Sequence, residues 1–202
     1  MVAEPKQLLT EDEYLTTERA ALEKSEFYNG ERIPMAGASI NHNRVKENLS
    51  IAIGYYLADK DCQSFSSDMR VHFPGTSLYA YPDIVVVCGE PELLPGEFDN
   101  LTNPNAIIEV LSDGTEDYDR GRKFHRYRAI PTLTEYVLLD SQAISAEIWR
   151  KNEQGQWTLA DELTDPTAVF TISTIGLSVT LAMVYTRTTG LLPDVPSPTI
   201  AP

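Results

Sequence analysis

The chain has 202 residues, 42% of them hydrophobic and 23% charged, which suits one soluble domain with a sizeable core. No apolar run approaches the roughly 20 residues of a membrane span, and residues 1–6 lack the basic-then-apolar pattern of a secretory signal. The net charge of −14 argues against a nonspecific polyanion binder, because phosphate contacts are carried by Lys and Arg.

Thr10 followed by Glu13 reads as a capping box. It predicts a helix to about residue 22, packing through Tyr14, Leu15 and Leu22. Asn29-Gly30 between two short extended runs predicts a hairpin. Glu26 lies on its first arm, where the simplest reading is a solvent-facing carboxylate. From 39 to 59, Val45, Leu49, Ala52, Ile53, Tyr56 and Leu57 recur at helical spacing. His42 falls in the first turn, a common place for a surface or capping residue. Short extended pieces are expected at 63–67 and 69–73, with Asp68 between them either structural or facing a site. Cys62 and Cys88 form no Cys-x-x-Cys pair. Cys88 reads as a small core residue, and a reducing cytoplasm fits such cysteine usage.

Pro82-Asp83 opens the apolar run 84–87, and residues 89–103 read as a solvated loop. A second apolar run, 106–111, carries Glu109 at its centre. Ser112-Asp113-Gly114-Thr115 turns the chain into a helix expected over 116–129 and stopped by Pro131. A third run follows at 135–140, so strand, helix, strand predicts a parallel pair with a crossover. Residues 146–151 and 156–160 form a second hairpin, with Trp149 and Trp157 as packing residues. A strand at 169–172 and a closing helix at 177–185 complete a single domain over 1–188, and the Pro-rich residues 189–202 read as a disordered tail. The fold class is α/β, with mixed α+β character.

A carboxylate within an apolar strand costs several kcal/mol unless compensated. Asp83 and Glu109 are two such acids on successive strands. Mg²⁺ takes one or two protein carboxylates and completes its shell with water and phosphate. The Val110 carbonyl lies near the same edge and is a candidate third ligand. Asp119, Lys123 and Tyr127 repeat at four-residue spacing on the following helix, so they share one face. Lys123 then supplies an ammonium to the acid pair, or Asp83, Glu109 and Lys123 form a buried structural salt bridge. Five of the sixteen Lys and Arg residues fall between 120 and 128, which places a local basic surface beside the acids.

Taken together, Pro82-Asp83, Glu109-Val110-Leu111-Ser112, Asp119…Lys123…Tyr127 and Pro131…Glu135-Tyr136 resemble the bacterial Uma-type endonuclease family of the PD-(D/E)XK superfamily. Glu26 before Asn29-Gly30 and His42 at the start of the long helix extend the likeness over most of the chain. The resemblance implies a restriction-endonuclease-like core, a central mixed β-sheet flanked by helices, with β-hairpins at both ends. It also implies phosphodiester hydrolysis in DNA dependent on Mg²⁺ or Mn²⁺. Asp83 and Glu109 would be the metal ligands, with Lys123 and Glu26 completing the catalytic set; His42, Asp68 and Tyr127 are further candidates. Lys123 replaces the lysine that the plain motif places two residues after the acid, where this chain has Leu111. Asp113-Gly114 stand where the family is expected to have Pro and Ser.

The competing reading is a catalytically weak or inactive nucleic-acid-binding or assembly module on the same fold, binding through Arg120, Arg122, Arg126 and Arg128. A glycosyl- or acyl-directed acid/base pair is disfavoured, because no activated Ser or Cys and no His stands near either acid in sequence. A homodimer would let two sites address both strands of a duplex.

Overall fold

Apolar runs buried on both faces, with side chains alternating between two cores, build the centre of the molecule. The structure is a computed structural model that describes residues 8–35, 37–73 and 76–192. In chain order the elements are α1 (Glu11–Ala20), β1 (Ser25–Tyr28), β2 (Glu31–Pro34), α2 (Ile40–Leu57), β3 (Cys62–Ser66), β4 (Arg70–His72), β5 (Leu78–Ala80) and β6 (Ile84–Cys88). After β7 (Asn100–Leu101) and β8 (Ala106–Leu111), a π-helical turn (Tyr118–Lys123) runs into α3 (Phe124–Tyr127). Then follow β9 (Glu135–Asp140), β10 (Ala146–Lys151), β11 (Trp157–Leu163), β12 (Val169–Ile172), β13 (Leu177–Thr180) and α4 (Leu181–Val184).

The central sheet has six strands in the order β11-β10-β9-β8-β6-β3. The β8 and β9 strands are parallel, joined by the expected helical crossover, and the remaining neighbours are antiparallel. Ile84, Val86, Ala106, Ile108 and Val110 point to one core with α2, α4 and the β12–β13 hairpin. Val85, Val87, Ile107 and Leu111 point to the other, with Phe124 and Tyr127 of α3. Burial of each such side chain contributes about 1.5–3 kcal/mol. A second sheet, β2-β1-β5-β4-β7, lies beside the first. A small third cluster of Tyr14, Leu15, Phe27 and Tyr79 packs α1 onto it.

Four expectations are corrected. The helix α1 has its capping box but ends at Ala20, because Ala21 takes extended angles, and Leu22 is fully exposed. Residues 177–185 are a strand and then a short helix. Leu177 and Val179 are buried while Ser178 is not, and they pair with β12 across a turn where Gly176 has φ +74°. Residues 89–103 are not wholly solvated: Asn100, Leu101 and Asn103 are buried, and β7 pairs in parallel with β4. The cysteines are not free. Cys62 and Cys88 are register partners on adjacent strands and form a disulfide. Sequence spacing alone hides this, because the partners are distant in the chain and only the β3–β6 register sets them opposite. Of the predicted tail, residues 193–202 lie outside the described residues.

Candidate functional site

Asp83 stands immediately before β6, whose register sets Ile84 opposite Ile108 and Val85 opposite Ile107. The same register, carried one step on, sets Asp83 opposite Glu109. The Asp83 backbone N–H donates to Glu109 Oε2 (3.3 Å), and the Val110 N–H donates to Asp83 Oδ2 (2.9 Å). Alternation places Glu109 on the Ile107–Leu111 face of β8, beneath the helical crossover.

That crossover opens with the π-helical turn, which carries Asp119 and Lys123, both buried. Single π turns concentrate at functional sites. Lys123 Nζ lies 2.8 Å from Glu109 Oε1, 3.0 Å from Glu26 Oε1 and 3.4 Å from Asp119 Oδ1. Its side chain is 6% exposed. The Tyr127 hydroxyl donates to Glu109 Oε1 (3.1 Å), and the Tyr136 hydroxyl donates to the Asp119 carbonyl (3.2 Å).

The solvent-facing reading of Glu26 is overturned: the residue is buried against Lys123. The strand β1 is not a free hairpin arm. It pairs with β2 on one side and with β5 on the other, so its edge is covered. Glu26 Oε2 accepts from the Tyr118 hydroxyl (3.1 Å), and Oε1 from the Tyr81 N–H (3.4 Å). Tyr118 is a member of the site that sequence spacing did not single out.

His42 is partly buried, with Nε2 3.3 Å from Asp83 Oδ2. Its Nδ1 is buried and has no hydrogen-bond partner among the described residues. Glu26, His42, Asp83, Glu109, Asp119 and Lys123 line one cavity of about 390 Å³. Asp68 does not line it; its side chain is exposed and ion-paired to Lys24. The four arginines have diverse settings. Arg120 pairs with Glu116 and Glu147. Arg126 stacks on Tyr28 and donates to the Tyr118 hydroxyl, and Arg128 lies over Phe124. Arg122 is exposed and forms no ion pair among the described residues.

The two strand acids titrate apart. Burial drives the Glu109 carboxyl well above its ordinary pKa and outweighs the attraction of Lys123. Burial also opposes ionisation of Asp83, but His42, the Val110 N–H and Lys123 bring it below the ordinary value. Asp119 is raised by burial. Burial works against the charge on Lys123, yet Glu109, Glu26, Tyr127 and Asp119 hold its pKa well above that of a free lysine.

Among the described residues, no group of three or more His, Cys, Asp or Glu side chains is spaced to hold a metal ion by itself. The physical reason is Lys123, whose ammonium occupies the point where Glu26, Glu109 and Asp119 converge. Mg²⁺ does not need a full protein cage. Asp83, Glu109 and Val110 all line the cavity and offer hard oxygen donors. Three carboxyls surround Lys123 and Asp83 lines the same cavity, more acids than one ammonium balances, which suits a dication. The donor set therefore fits the ion.

The Uma2 model, described as "Putative restriction endonuclease", matches residues 11–183. The chain belongs to the Uma2 family. Two curated relatives are the uncharacterized proteins sll1609 and slr1290 of Synechocystis sp.. The first is 42% identical over 161 residues, 80% of this chain and 91% of the relative. The second is 32% identical over 177 residues, 88% and 91% respectively. A solved structure titled a putative nuclease belonging to DUF820, from Anabaena variabilis, superposes with a TM-score of 0.70 at 16% identity. It covers 88% of this chain and 97% of that one, which shows the restriction-endonuclease-like fold.

Proposed function

We propose that this Uma2 member is a metal-dependent endonuclease that hydrolyses phosphodiester bonds in DNA, acting as a homodimer of single-domain chains. One observation carries the reading: a buried lysine among three carboxylates that line one cavity with Asp83. Asp83, Glu109 and the Val110 carbonyl are the residues that would hold Mg²⁺ or Mn²⁺. When bound, such an ion lowers the pKa of water and offsets phosphate charge. The Lys123 ammonium orients the attacking water and stabilises charge developing on the phosphoryl oxygens. Glu26 and Asp119 hold that ammonium in place, and Tyr127 holds Glu109. His42 fixes the rotamer of Asp83. Arg122, and the neighbouring Arg120, Arg126 and Arg128, contribute a basic flank for the strand.

The test is incubation with plasmid, linear duplex, single-stranded DNA and RNA in Mg²⁺ or Mn²⁺. DNA is cut by the wild type and left intact by Asp83→Ala and Lys123→Ala. Calorimetric titration with Mn²⁺ gives binding to the wild type that Asp83→Ala loses. A wild type that cuts no nucleic acid above the Lys123→Ala background rejects the enzyme reading. Salt-dependent DNA binding without turnover would select the binding-module reading instead.

A further inference from the structure

The cavity has a second wall that the acid cluster leaves unused. The helix α2 reaches it near its N-terminal end, and His42 and Lys46, one turn apart, share the face that lines it. His42 is committed to Asp83. Lys46 is placed differently. Its Nζ lies 3.1 Å from Ser67 Oγ, and it forms no ion pair among the described residues. Asp68, the acid adjoining Ser67, is ion-paired to Lys24, and Lys46 acts on it only through the longer-range field.

Ser67 is held from two sides. Its N–H donates to the Asp83 carbonyl (3.2 Å), and its own carbonyl accepts from Lys24 Nζ (3.1 Å). The Lys46 ammonium is thus tied through one serine to the residue that carries the first acid. The rim nearby is open: an added Cβ at Gly37 or Gly114 would meet nothing within 4 Å.

A cavity that gathers four carboxylates repels a polyanion, in a chain whose net charge is already −14. A phosphodiester strand enters it only if cations stand on its path outside the acid cluster. Among the described residues, two lysines line the cavity, Lys46 and Lys123. The carboxylates occupy Lys123. Lys46 is the lining ammonium they leave available.

We propose that Lys46, steadied by Ser67, binds a phosphodiester of the nucleic-acid strand next to the linkage presented to Asp83 and Glu109. The proposal rests on the nuclease reading and names a positioning residue within it. The experiment is fluorescence anisotropy of a short labelled DNA strand and its duplex, across a salt series in Ca²⁺. Lys46→Gln weakens binding roughly five- to tenfold, alike for different sequences, and lowers the salt slope by about one phosphate contact. Lys46→Arg restores both. Lys60→Gln, at an exposed lysine that does not line the cavity, changes neither. Melting temperatures stay within error, because Lys46 is partly exposed and makes one side-chain hydrogen bond. In the cleavage assay, KM rises and kcat holds.

An unchanged affinity and slope in Lys46→Gln overturns the proposal, as does an equal loss in Lys60→Gln or no strand binding by the wild type. The two readings fail separately. Cleavage by the wild type with KM unaltered in Lys46→Gln removes the phosphate site and leaves the nuclease. Binding that depends on Lys46, without cleavage, supports the phosphate site and removes the nuclease.

Discussion

Replacing Lys123 by Met keeps most of the side-chain volume and removes the charge. In the wild type the ammonium has carboxylate oxygens at 2.8, 3.0 and 3.4 Å. Each contact corresponds to about 5 kcal/mol of Coulomb attraction at an effective dielectric constant near 20. These contacts do not add, because the desolvation of all four groups opposes them. Breaking a buried pair by removing one partner typically costs about 3–5 kcal/mol, since the other charge stays buried. For a domain of this size that is a fall in Tm of roughly 10 °C.

The loss depends on pH with a definite sign. Burial already raises Glu109 and Asp119 with the ammonium present; without it they rise further. A carboxyl whose folded pKa is raised holds its proton more tightly when folded. Stability is then lost as pH climbs from the ordinary carboxyl value toward the raised one. The deficit of Lys123→Met is therefore largest at pH 8 and shrinks toward pH 5. Urea unfolding followed by tryptophan fluorescence reads it, because Trp149 and Trp157 both pack on Phe124 of α3. A deficit below about 1 kcal/mol at pH 8, or one equal at pH 5 and pH 8, refutes the account of the cluster.

Two further outcomes follow from the scaffold. The Cys62–Cys88 bridge spans a sequence separation of 26, for which chain entropy gives about 3.5 kcal/mol. Dithiothreitol, or the Cys62→Ser/Cys88→Ser double variant, should lower the urea midpoint accordingly, and coincident curves would rule the bridge out as a stabiliser. His72 is buried and stacks on Tyr79 at 4.2 Å. Burial lowers its pKa below the ordinary 6.5. Its contribution is present above that value and is lost as pH falls through it toward the lower folded value. His72→Leu should flatten the stability profile below pH 6.5 relative to wild type, and parallel profiles would exclude His72 as the cause.

Asp83 and Glu109 were legible because an acid inside an apolar run is an exception to burial preference. The shared face of Asp119, Lys123 and Tyr127 was legible because four-residue spacing survives the π-helical turn well enough to keep them together. Glu26 was misread because its burial depends on β5, a strand far along the chain. Tyr118 escaped for a similar reason: its partner Glu26 lies in the other sheet. Lys46 sits at an ordinary polar helix position, and only the cavity sets it apart. The strand at Leu177–Thr180 could have been read from its alternation; the disulfide could not, since it depends on strand register.

Placing the lysine on the crossover, not on β8, has a consequence for how the molecule comes to exist. Leu111, two residues after Glu109, fills the core. The ammonium and its partners thus come from β8, β1 and the π-helical turn, three segments that meet only through tertiary docking. A chain whose central strands have paired, but whose crossover has not yet packed, carries its acids without their cation. The cluster is complete only once the crossover has docked, so a partly opened chain lacks it.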